Sequence, residues 1–201
     1  MRRLVVATTN RGKLREIEML LDGIPLALVT LADWPGVAPP DETGRTFAEN
    51  ARLKAVYYAH HTGQLTVAED SGLEIDALGG APGVESARFG GAGSSYPDKF
   101  TLIYDALRAK KAAARTARFV CSLALADGDP GNHVLFETRG TVEGTIAPEP
   151  KGSGGFGYDP IFYYPPFGCT LAEASAEQKA TVSHRGQAFR QLRTYLTTEN
   201  P

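Results

Sequence analysis

Residues 66–91 read TVAEDSGLEIDALGGAPGVESARFGG, in which paired acids stand between an apolar run and six glycines. The apolar run, residues 65–68, predicts the end of a buried strand that stops at Glu69, Asp70 and Ser71. Glycine-rich backbone after this point lets the chain turn sharply or approach another group closely. The stretch therefore predicts a strand that delivers two carboxylates to a loop beside a charged ligand.

The composition predicts one folding unit that spans residues 1–201. The chain has 201 residues, of which 42% are hydrophobic, enough to bury a large core. Its net charge of −2 provides no global field that would recruit a nucleic acid polymer or a membrane surface. A phosphate ligand would have to be bound by local clusters of basic residues.

Cysteine usage and hydropathy indicate a cytoplasmic protein. Cys121 and Cys169 lie far apart, without the density or spacing of a disulfide framework or a zinc site. No apolar run approaches the roughly 20 residues of a membrane span, and the N-terminus lacks a signal-peptide pattern. We expect two free thiols in a cytoplasmic chain.

The N-terminal segment predicts a strand, a polar loop and a helix. Residues 3–7 are apolar and β-branched, and apolar residues at 14, 17, 20 and 21 recur at helical spacing. Free N–H groups and the helix dipole favour an anion at such a helix start. A capped helix start with solvated basic residues is the alternative, since the spacing of a Walker A motif is absent. The polar residues of this loop are Thr8, Thr9, Asn10, Arg11, Gly12 and Lys13.

The next segment predicts a second strand, at residues 26–30, and a second helix. Thr46 and Glu49 have the spacing of a capping box, which opens a helix that continues to about His61. Lys54 lies in the middle of this helix, where a lysine is usually solvated. The polar loop before the helix carries Glu42.

The second half of the chain predicts the long strands of the sheet. A helix is expected at residues 99–111, followed by a strand at 118–126 that is apolar throughout and therefore buried on both faces. The turn sequence DGDPGN, residues 127–132, leads to another strand at 133–146. Together these elements predict an α/β fold with a long mixed central sheet, helices on its faces, and a cleft between two lobes.

A second glycine-dense loop, KGSGGFGYDPIF, occupies residues 151–162. Phe156 and Tyr158 stand between its glycines, where exposed rings could stack on a base. A packed loop whose rings cover a small core explains the same residues equally well. An acidic helix at 171–179 and a closing helix at 183–196 follow, and Ser183, His184 and Arg185 stand at the entrance of the closing helix.

The polar residues divide into two chemistries. Four basic residues could neutralise phosphates, and three acids offer the hard oxygen ligands that suit magnesium. Each group follows a strand or precedes a helix, where sites collect in α/β proteins. The basic residues are Lys13, Lys54, Lys179 and Arg185, and the acids are Glu42, Glu69 and Asp70. The combination predicts a nucleotide site.

The chain resembles the non-canonical purine NTP pyrophosphatases, also called inosine triphosphate pyrophosphatases or XTP/dITP diphosphatases. The resemblance rests on five motifs in the order of that family: ATTNRGK, ETGRTFAENARLKA, AEDSGLEIDALGGAPGVESARFGG, GSGGFGYDPIF and EQKATVSHRGQA. They span nearly the whole chain. The resemblance implies magnesium-dependent hydrolysis of ITP, dITP or XTP to the monophosphate and pyrophosphate, in a homodimer.

The resemblance also implies residue roles. Residues 8–13 match the triphosphate-binding loop, and Lys54 matches a lysine that reaches the same ligand. Glu42 and Asp70 match the magnesium-binding acids, Asp70 is the candidate general base, and Glu69, where many relatives have Asp, is a further candidate ligand. The residues that match substrate contacts and the base-binding part of the site are Ser71, Phe156, Gly157, Tyr158, Asp159, Lys179, His184 and Arg185.

Two other functions stay open at this point. Septum-formation inhibitor-like pyrophosphatases catalyse the same reaction on modified pyrimidine nucleotides, although the SHRG and GGFGYDP motifs argue against them. A nucleotide-binding regulator would hold a triphosphate without cleaving it, although the carboxylates argue for catalysis. Because hypoxanthine and xanthine carry a keto oxygen at C6, where adenine carries an amino group, hydrogen-bond donors from Arg185 and the backbone predict that ITP and XTP are hydrolysed faster than ATP. We also expect slow hydrolysis of GTP, but guanine shares the keto oxygen, so its exclusion must depend on how its 2-amino group is handled.

Overall fold

The computed structural model describes residues 2–91, 93–112, 114–129, 131 and 133–198. Within these ranges the chain forms seven strands and five α-helices. The strands are β1 (Arg3–Val6), β2 (Ala27–Thr30), β3 (Leu65–Ile75), β4 (Thr116–Ala126), β5 (Val134–Ile146), β6 (Phe162–Tyr164) and β7 (Cys169–Thr170). The helices are α1 (Arg11–Leu20), α2 (Phe47–Thr62), α3 (Tyr96–Ala109), α4 (Ala176–Val182) and α5 (His184–Thr198).

All seven strands belong to one mixed sheet in the order β2-β1-β3-β4-β5-β6-β7. β1 is parallel to β2 and to β3, with Leu4 opposite Leu28 and Leu65. The pairs β5–β6 and β6–β7 are antiparallel. The predicted α/β class with a long mixed sheet and flanking helices is confirmed, while the cleft between two lobes stays a prediction.

The chain divides into two compact units. The first comprises Met1–Asp70, Cys121–Gly140 and His184–Pro201, and the second comprises Ser71–Val120 and Thr141–Ser183. The prediction that residues 1–201 form a single domain stays a prediction.

Strand alternation separates the two apolar clusters of the first unit. On one face Leu65, Val67 and Cys121 pack with residues of α1 and α5. The residues at the alternating positions, Ala68 and Ala124, pack with the alanines of α2. Because successive side chains of a strand point to opposite faces, α1 and α5 cover one face of the sheet and α2 covers the other.

β3 does not stop at the acids, as the sequence analysis expected, but continues to Ile75. Leu73 and Ile75 are fully buried in the apolar cluster of the second unit. Burial of their side chains stabilises the continued strand. Gly72 is required in the extension, because a Cβ there would lie 2.3 Å from Ser86 Oγ. Glu69 and Asp70 therefore lie in the middle of an 11-residue strand rather than in a loop.

Other predicted boundaries shift by a few residues. α1 begins at Arg11, so half of the predicted polar loop forms its first turn. α3 begins at Tyr96, because Ser95 and Asp98 form a capping box ahead of the predicted start. The helix predicted at 171–179 begins only at Ala176, because Ser175 caps it. The predicted turn at 127–132 includes residues 130 and 132, which lie outside the described residues. The short strands β6 and β7 were not predicted from the sequence.

Across the described part of the chain, every helix is too short or too polar to cross a membrane.

Candidate active site

The first turn of α1 is capped by Asn10. Its side-chain oxygen accepts hydrogen bonds from the backbone N–H groups of Gly12 and Lys13 at 2.9 and 3.1 Å. Thr8 Oγ1 accepts a hydrogen bond from Asn10 N at 3.2 Å, which stabilises the turn before the cap. Thr9 and Arg11 are exposed. The geometry fixes the helix start, and the binding of triphosphate at residues 8–13 stays a prediction.

Lys54 is not the solvated lysine that its position in a helix suggested. Its side chain is 12% exposed, and Nζ lies 2.7 Å from Glu42 Oε1 and 3.1 Å from Asp70 Oδ1. Burial lowers the pKa of Lys54, but the charges of Asp70 and Glu42 outweigh burial and hold the pKa above its usual value. The lysine is therefore a cation shared by two carboxylates.

Asn50 is a site residue that the sequence analysis missed. It is fully buried, and its amide donates a hydrogen bond to Asp70 Oδ2 at 3.2 Å. Its side-chain oxygen accepts from Gly44 N at 2.7 Å, which ties the loop before α2 to the carboxylate. Since Lys54 follows Asn50 by four residues, both side chains lie on one face of the helix. That spacing was visible in the sequence.

The Asp70 carboxylate sits in an environment that opposes its charge. Burial raises the pKa of Asp70, Lys54 lowers it, and the nearby charge of Glu42 raises it further, so that the net shift is upward. Two carboxylates therefore crowd around one ammonium group.

Glu42 and Asp70 fit a magnesium ion in the chemistry of their donors. Magnesium is usually held by one or two carboxylates together with substrate phosphates and water. No group of three His, Cys, Asp or Glu residues that could hold a metal by themselves is found among the described residues. Two carboxylates would therefore hold such an ion only together with ligands from outside the described residues.

Glu69 lies at the centre of a second cluster. Its Oε1 lies 3.0 Å from Lys13 Nζ and 3.1 Å from Arg185 Nη2. Arg185 also contacts Glu16, at 2.7 Å. Burial raises the pKa of Glu69, but Arg185 and Lys13 outweigh it and hold the pKa well below its usual value. The thiol of Cys121 donates to Glu69 Oε2 at 3.4 Å.

Arg185 and His184 form the first turn of α5, and both are buried. A Cβ at Gly140 of β5 would lie 2.0 Å from the backbone oxygen of His184. A glycine at position 140 therefore allows the start of α5 to lie directly on the strand. This contact sets where Arg185 enters the cluster.

In the second unit, Asp159 organises the glycine loop. Asp159 Oδ2 accepts hydrogen bonds from Phe156 N at 2.7 Å and from Lys179 Nζ at 2.6 Å, and both charged side chains are buried. Lys179 Nζ also lies 4.8 Å from the centre of the Phe156 ring. The buried ion pair therefore fixes both the backbone and the ring of this loop.

Tyr158 belongs to the core of the second unit. It is 3% exposed, and its hydroxyl donates to Ser86 O at 2.8 Å. Tyr96 of α3 packs against it edge to face at 5.3 Å and lies 3.5 Å from the position of a Cβ on Gly157. Of the two interpretations of this loop, packing describes Tyr158, and contact of Phe156–Asp159 with a base stays a prediction. The sequence analysis did not identify Tyr96, which is partly exposed, as a neighbour of the glycine loop. It lies at the start of α3, far from Tyr158 in the sequence.

The predicted site residues thus lie in both units. In the first unit they form two clusters, one of Lys54 with Glu42 and Asp70 and one of Glu69 with Lys13 and Arg185. In the second it brings together Phe156, Asp159 and Lys179. Ser71 is half-buried in β3.

In α/β proteins ligands bind beyond the carboxyl ends of the parallel strands. Here β1 ends at Val6 and pairs with β3 as far as Val67, so Glu69 and Asp70 follow directly on the end of the parallel pair. The sequence profile of the Ham1 family matches residues 4–195. The chain belongs to the Ham1 family.

Relatives and solved structures agree with this membership. A dITP/XTP pyrophosphatase of Exiguobacterium sp. is 48% identical over 190 residues, which cover 94% of this chain and 94% of that protein. A dITP/XTP pyrophosphatase of Thermus thermophilus is also 48% identical, with 94% of this chain and 89% of that protein covered. The structure of a HAM1 protein from Coxiella burnetii has a TM-score of 0.91 at 41% identity, and the match covers 98% of this chain and 99% of that one.

Proposed function

We propose that this chain hydrolyses purine nucleoside triphosphates with non-standard bases, ITP, dITP and XTP, to the monophosphate and pyrophosphate. The observation that carries the proposal is the buried cluster in which Lys54 is shared by Glu42 and Asp70. The named activity of the 48% identical relatives supports the same reaction. The enzyme is a nucleoside-triphosphate diphosphatase.

In the reaction, one water molecule adds across the anhydride between the α and β phosphates. A P–O bond forms to the water oxygen, the bridging P–O bond breaks, and a proton is released. Lys13 and Lys54 neutralise the phosphates, because charge stabilisation dominates phosphoryl transfer. Asp70 orients the attacking water and accepts its proton, and Asn50 holds the carboxylate in position for both tasks.

The proposal includes a magnesium ion at Glu42 and Asp70. When bound, the ion would neutralise phosphate oxygens and fix their orientation. Glu42 and Asp70 are suitable because both are carboxylates and their oxygens lie close together, at 2.7 and 3.1 Å from the same atom, Lys54 Nζ.

We assign substrate contacts to the residues that the family resemblance indicates. The N-terminal contacts to the triphosphate are Thr8, Thr9, Asn10, Arg11, Gly12 and Lys13, with Lys54 and Ser71. The contacts to the base are Phe156, Gly157, Tyr158, Asp159, Lys179, His184 and Arg185. The pair of Asp159 and Lys179 supports this role, since it fixes the backbone of the loop before any ligand arrives.

Selectivity against ATP follows from the keto oxygen at C6 of hypoxanthine and xanthine, whereas selectivity against GTP must depend on the 2-amino group of guanine, which shares that keto oxygen. A site of hydrogen-bond donors pairs with this oxygen, whereas the amino group of adenine would leave the donors unpaired. Such a mismatch can reduce the rate by up to roughly 10⁴-fold. The proposed house-cleaning activity acts in the cytoplasm, and the proposed assembly is a homodimer, which light scattering would test.

The experiment is a substrate panel with the purified chain. ITP, dITP, XTP, ATP, GTP and a modified pyrimidine triphosphate are incubated with magnesium or with EDTA, and the products are separated by ion-exchange chromatography. We expect monophosphate and pyrophosphate from ITP, dITP and XTP, with little product from ATP or GTP and none in EDTA. Equal rates on all purines would refute the selectivity. A preference for the pyrimidine would favour the septum-formation inhibitor-like function, and binding without cleavage would favour a regulator.

A further inference from the structure

We infer that Glu69 is a positioning residue, whose carboxylate holds Lys13 and Arg185 in place, and that it does not bind the metal. The inference rests on the proposed function, because Lys13 is taken to bind the triphosphate. The sequence analysis expected Glu69 to be a further metal ligand beside Asp70, and the present inference replaces that role.

The direction of the two neighbouring side chains is the first observation. Glu69 and Asp70 lie in the middle of β3, where successive side chains point to opposite faces of the sheet. Glu69 contacts Lys13 of α1 and Arg185 of α5, on the face that these helices cover. Asp70 contacts Lys54 and Asn50 of α2, on the other face. The two neighbouring carboxylates therefore contact different sets of side chains.

The charge around each carboxylate is the second observation. Glu69 Oε1 already contacts two cationic side chains, Lys13 at 3.0 Å and Arg185 at 3.1 Å. A divalent cation placed at Glu69 would be repelled by both, in a buried environment where screening is weak. Asp70 contacts one cation and one neutral amide, so a divalent ion meets less repulsion there.

The third observation is which elements Glu69 connects. Lys13 lies in the first turn of α1, and Glu16, one turn later, contacts Arg185 at 2.7 Å. Arg185 lies in the first turn of α5. Glu69 therefore joins the first turns of two helices to the central strand. Without its charge, Lys13 and Arg185 would repel each other, and the flexible stem of Lys13 would lose its fixed orientation.

A metal-free assay separates positioning from metal binding. Inorganic tripolyphosphate is titrated by calorimetry, in EDTA, into the wild type, Glu69→Gln, Lys13→Gln and the double variant. We expect Glu69→Gln to weaken binding about 10-fold, the effect of losing one charge-assisted hydrogen bond. In the Lys13→Gln background the same change should have little further effect, because the lysine that Glu69 positions is gone.

Three further measurements keep the inference falsifiable. Glu69→Asp retains the charge and should bind tripolyphosphate within about 3-fold of wild type, a rescue that also covers the risk that Glu69→Gln does not fold. For dITP hydrolysis, Glu69→Gln should raise KM more than it lowers kcat, and the magnesium concentration for half-maximal rate should stay within about 2-fold of wild type. Arg52→Ala, at an exposed ion pair with Glu137, is the control and should match wild type.

The outcomes that overturn the inference are distinct from failure of the proposed function. A 10-fold rise in the magnesium requirement of Glu69→Gln would make Glu69 a metal ligand. Additive effects of Glu69→Gln and Lys13→Gln, or failure of the wild type to bind tripolyphosphate, would also overturn it. If the wild type binds tripolyphosphate as expected but does not hydrolyse dITP, the proposed function fails and the role of Glu69 stands.

Discussion

Glu69 and Asp70 are adjacent in β3 but serve opposite faces of the sheet, Glu69 in contact with Lys13 of α1 and Asp70 in contact with Lys54 of α2. The strand thus places one carboxylate in each of two clusters. Because the two acids have different partners, changes at each of them should have different consequences.

Lys54 should be essential for turnover. Lys54→Met removes the cation that Glu42 and Asp70 share, and it leaves the buried carboxylate of Asp70 and the half-buried carboxylate of Glu42 without it. We expect kcat/KM for dITP to fall by at least about 10²-fold, the cost of a charge-assisted contact and of phosphate neutralisation. Steady-state pyrophosphate release measures the effect.

The matched control for Lys54 lies on the same helix. Arg52→Ala removes an exposed ion pair with Glu137, in which Arg52 is 51% exposed. Such pairs contribute about 0–1 kcal/mol to stability, so activity should stay within about 2-fold of wild type. If both variants lost the same fraction of kcat/KM, the cause would be a general disturbance of α2 and not the loss of the Lys54 ammonium group.

Glu69 should dominate the acid sensitivity of folding. Its pKa is well below the usual value of 4.5 in the folded chain, because Arg185 and Lys13 outweigh the effect of burial. A carboxylate with a depressed folded pKa stabilises the protein above the unfolded pKa, and this stability is lost as the pH falls through the folded pKa. The free energy of unfolding should therefore fall below pH 4.5 more steeply in wild type than in Glu69→Gln.

Urea titrations at a series of pH values between neutrality and acid measure this difference. The side chains in contact with Glu69 include those of Lys13, Arg185 and Cys121. Parallel pH profiles for wild type and variant would contradict the account.

The buried pair of Lys179 and Asp159 should support the glycine loop. Lys179→Met leaves Asp159 buried with its charge uncompensated by this lysine, a change that typically costs about 3–5 kcal/mol. For a chain of this size each kcal/mol lowers Tm by about 2–4 °C. Calorimetry measures the shift.

Lys151→Met is the control for that variant. Lys151 pairs with Glu149 at 3.4 Å in an exposed position, so its loss should change Tm by less than about 4 °C. The double variant of Lys179→Met with Asp159→Asn should recover part of the lost stability, because the buried charge is gone. No recovery would show that the ion pair is not the cause.

Gly72 should be intolerant of a side chain. In Gly72→Ala the Cβ would lie 2.3 Å from Ser86 Oγ and 2.7 Å from Gly83 O. Ser86 cannot move freely, because its hydroxyl accepts from Leu73 N at 2.9 Å and donates to Gly83 O at 2.6 Å. We expect a loss of about 1–3 kcal/mol in the free energy of unfolding, typical of overpacking.

Gly36→Ala is the comparison, since among the described residues no atom beyond the chain neighbours lies within 4 Å of a Cβ at that position, and its φ is not positive. Chemical denaturation should find it within about 0.5 kcal/mol of wild type or more stable. Equal losses at positions 72 and 36 would remove steric overlap as the explanation.

The sequence predicted the sheet class and most helices, because these depend on local patterns. Residues 118–126 were recognisable as a strand buried on both faces, and β4 runs from Thr116 to Ala126. Thr46 was recognisable as the cap of α2, and its hydroxyl accepts from Glu49 N at 3.1 Å. Membership of the Ham1 family agrees with the resemblance seen in five motifs.

What the sequence missed depends on contacts between distant residues. The continuation of β3 past Asp70 relies on Ser86, which takes the space beside Gly72. The contact of Asn50 with Asp70 joins residues 20 positions apart, and that of Glu69 with Arg185 joins residues 116 apart. No local pattern encodes such pairs. The side chains of Glu69 and Asp70 point to opposite faces of the sheet because both residues lie within β3, whereas the sequence predicted that they lie in a loop.

The most direct test of the proposed function compares wild type with Asp70→Asn in pyrophosphate release from dITP, with magnesium present. We predict that wild type converts dITP to the monophosphate and pyrophosphate, and that the variant loses at least about 10³-fold in kcat while its binding of dITP changes by no more than a few-fold. Nearly normal turnover by Asp70→Asn would contradict the assignment of Asp70, and absence of pyrophosphate from the wild type would contradict the proposed reaction itself.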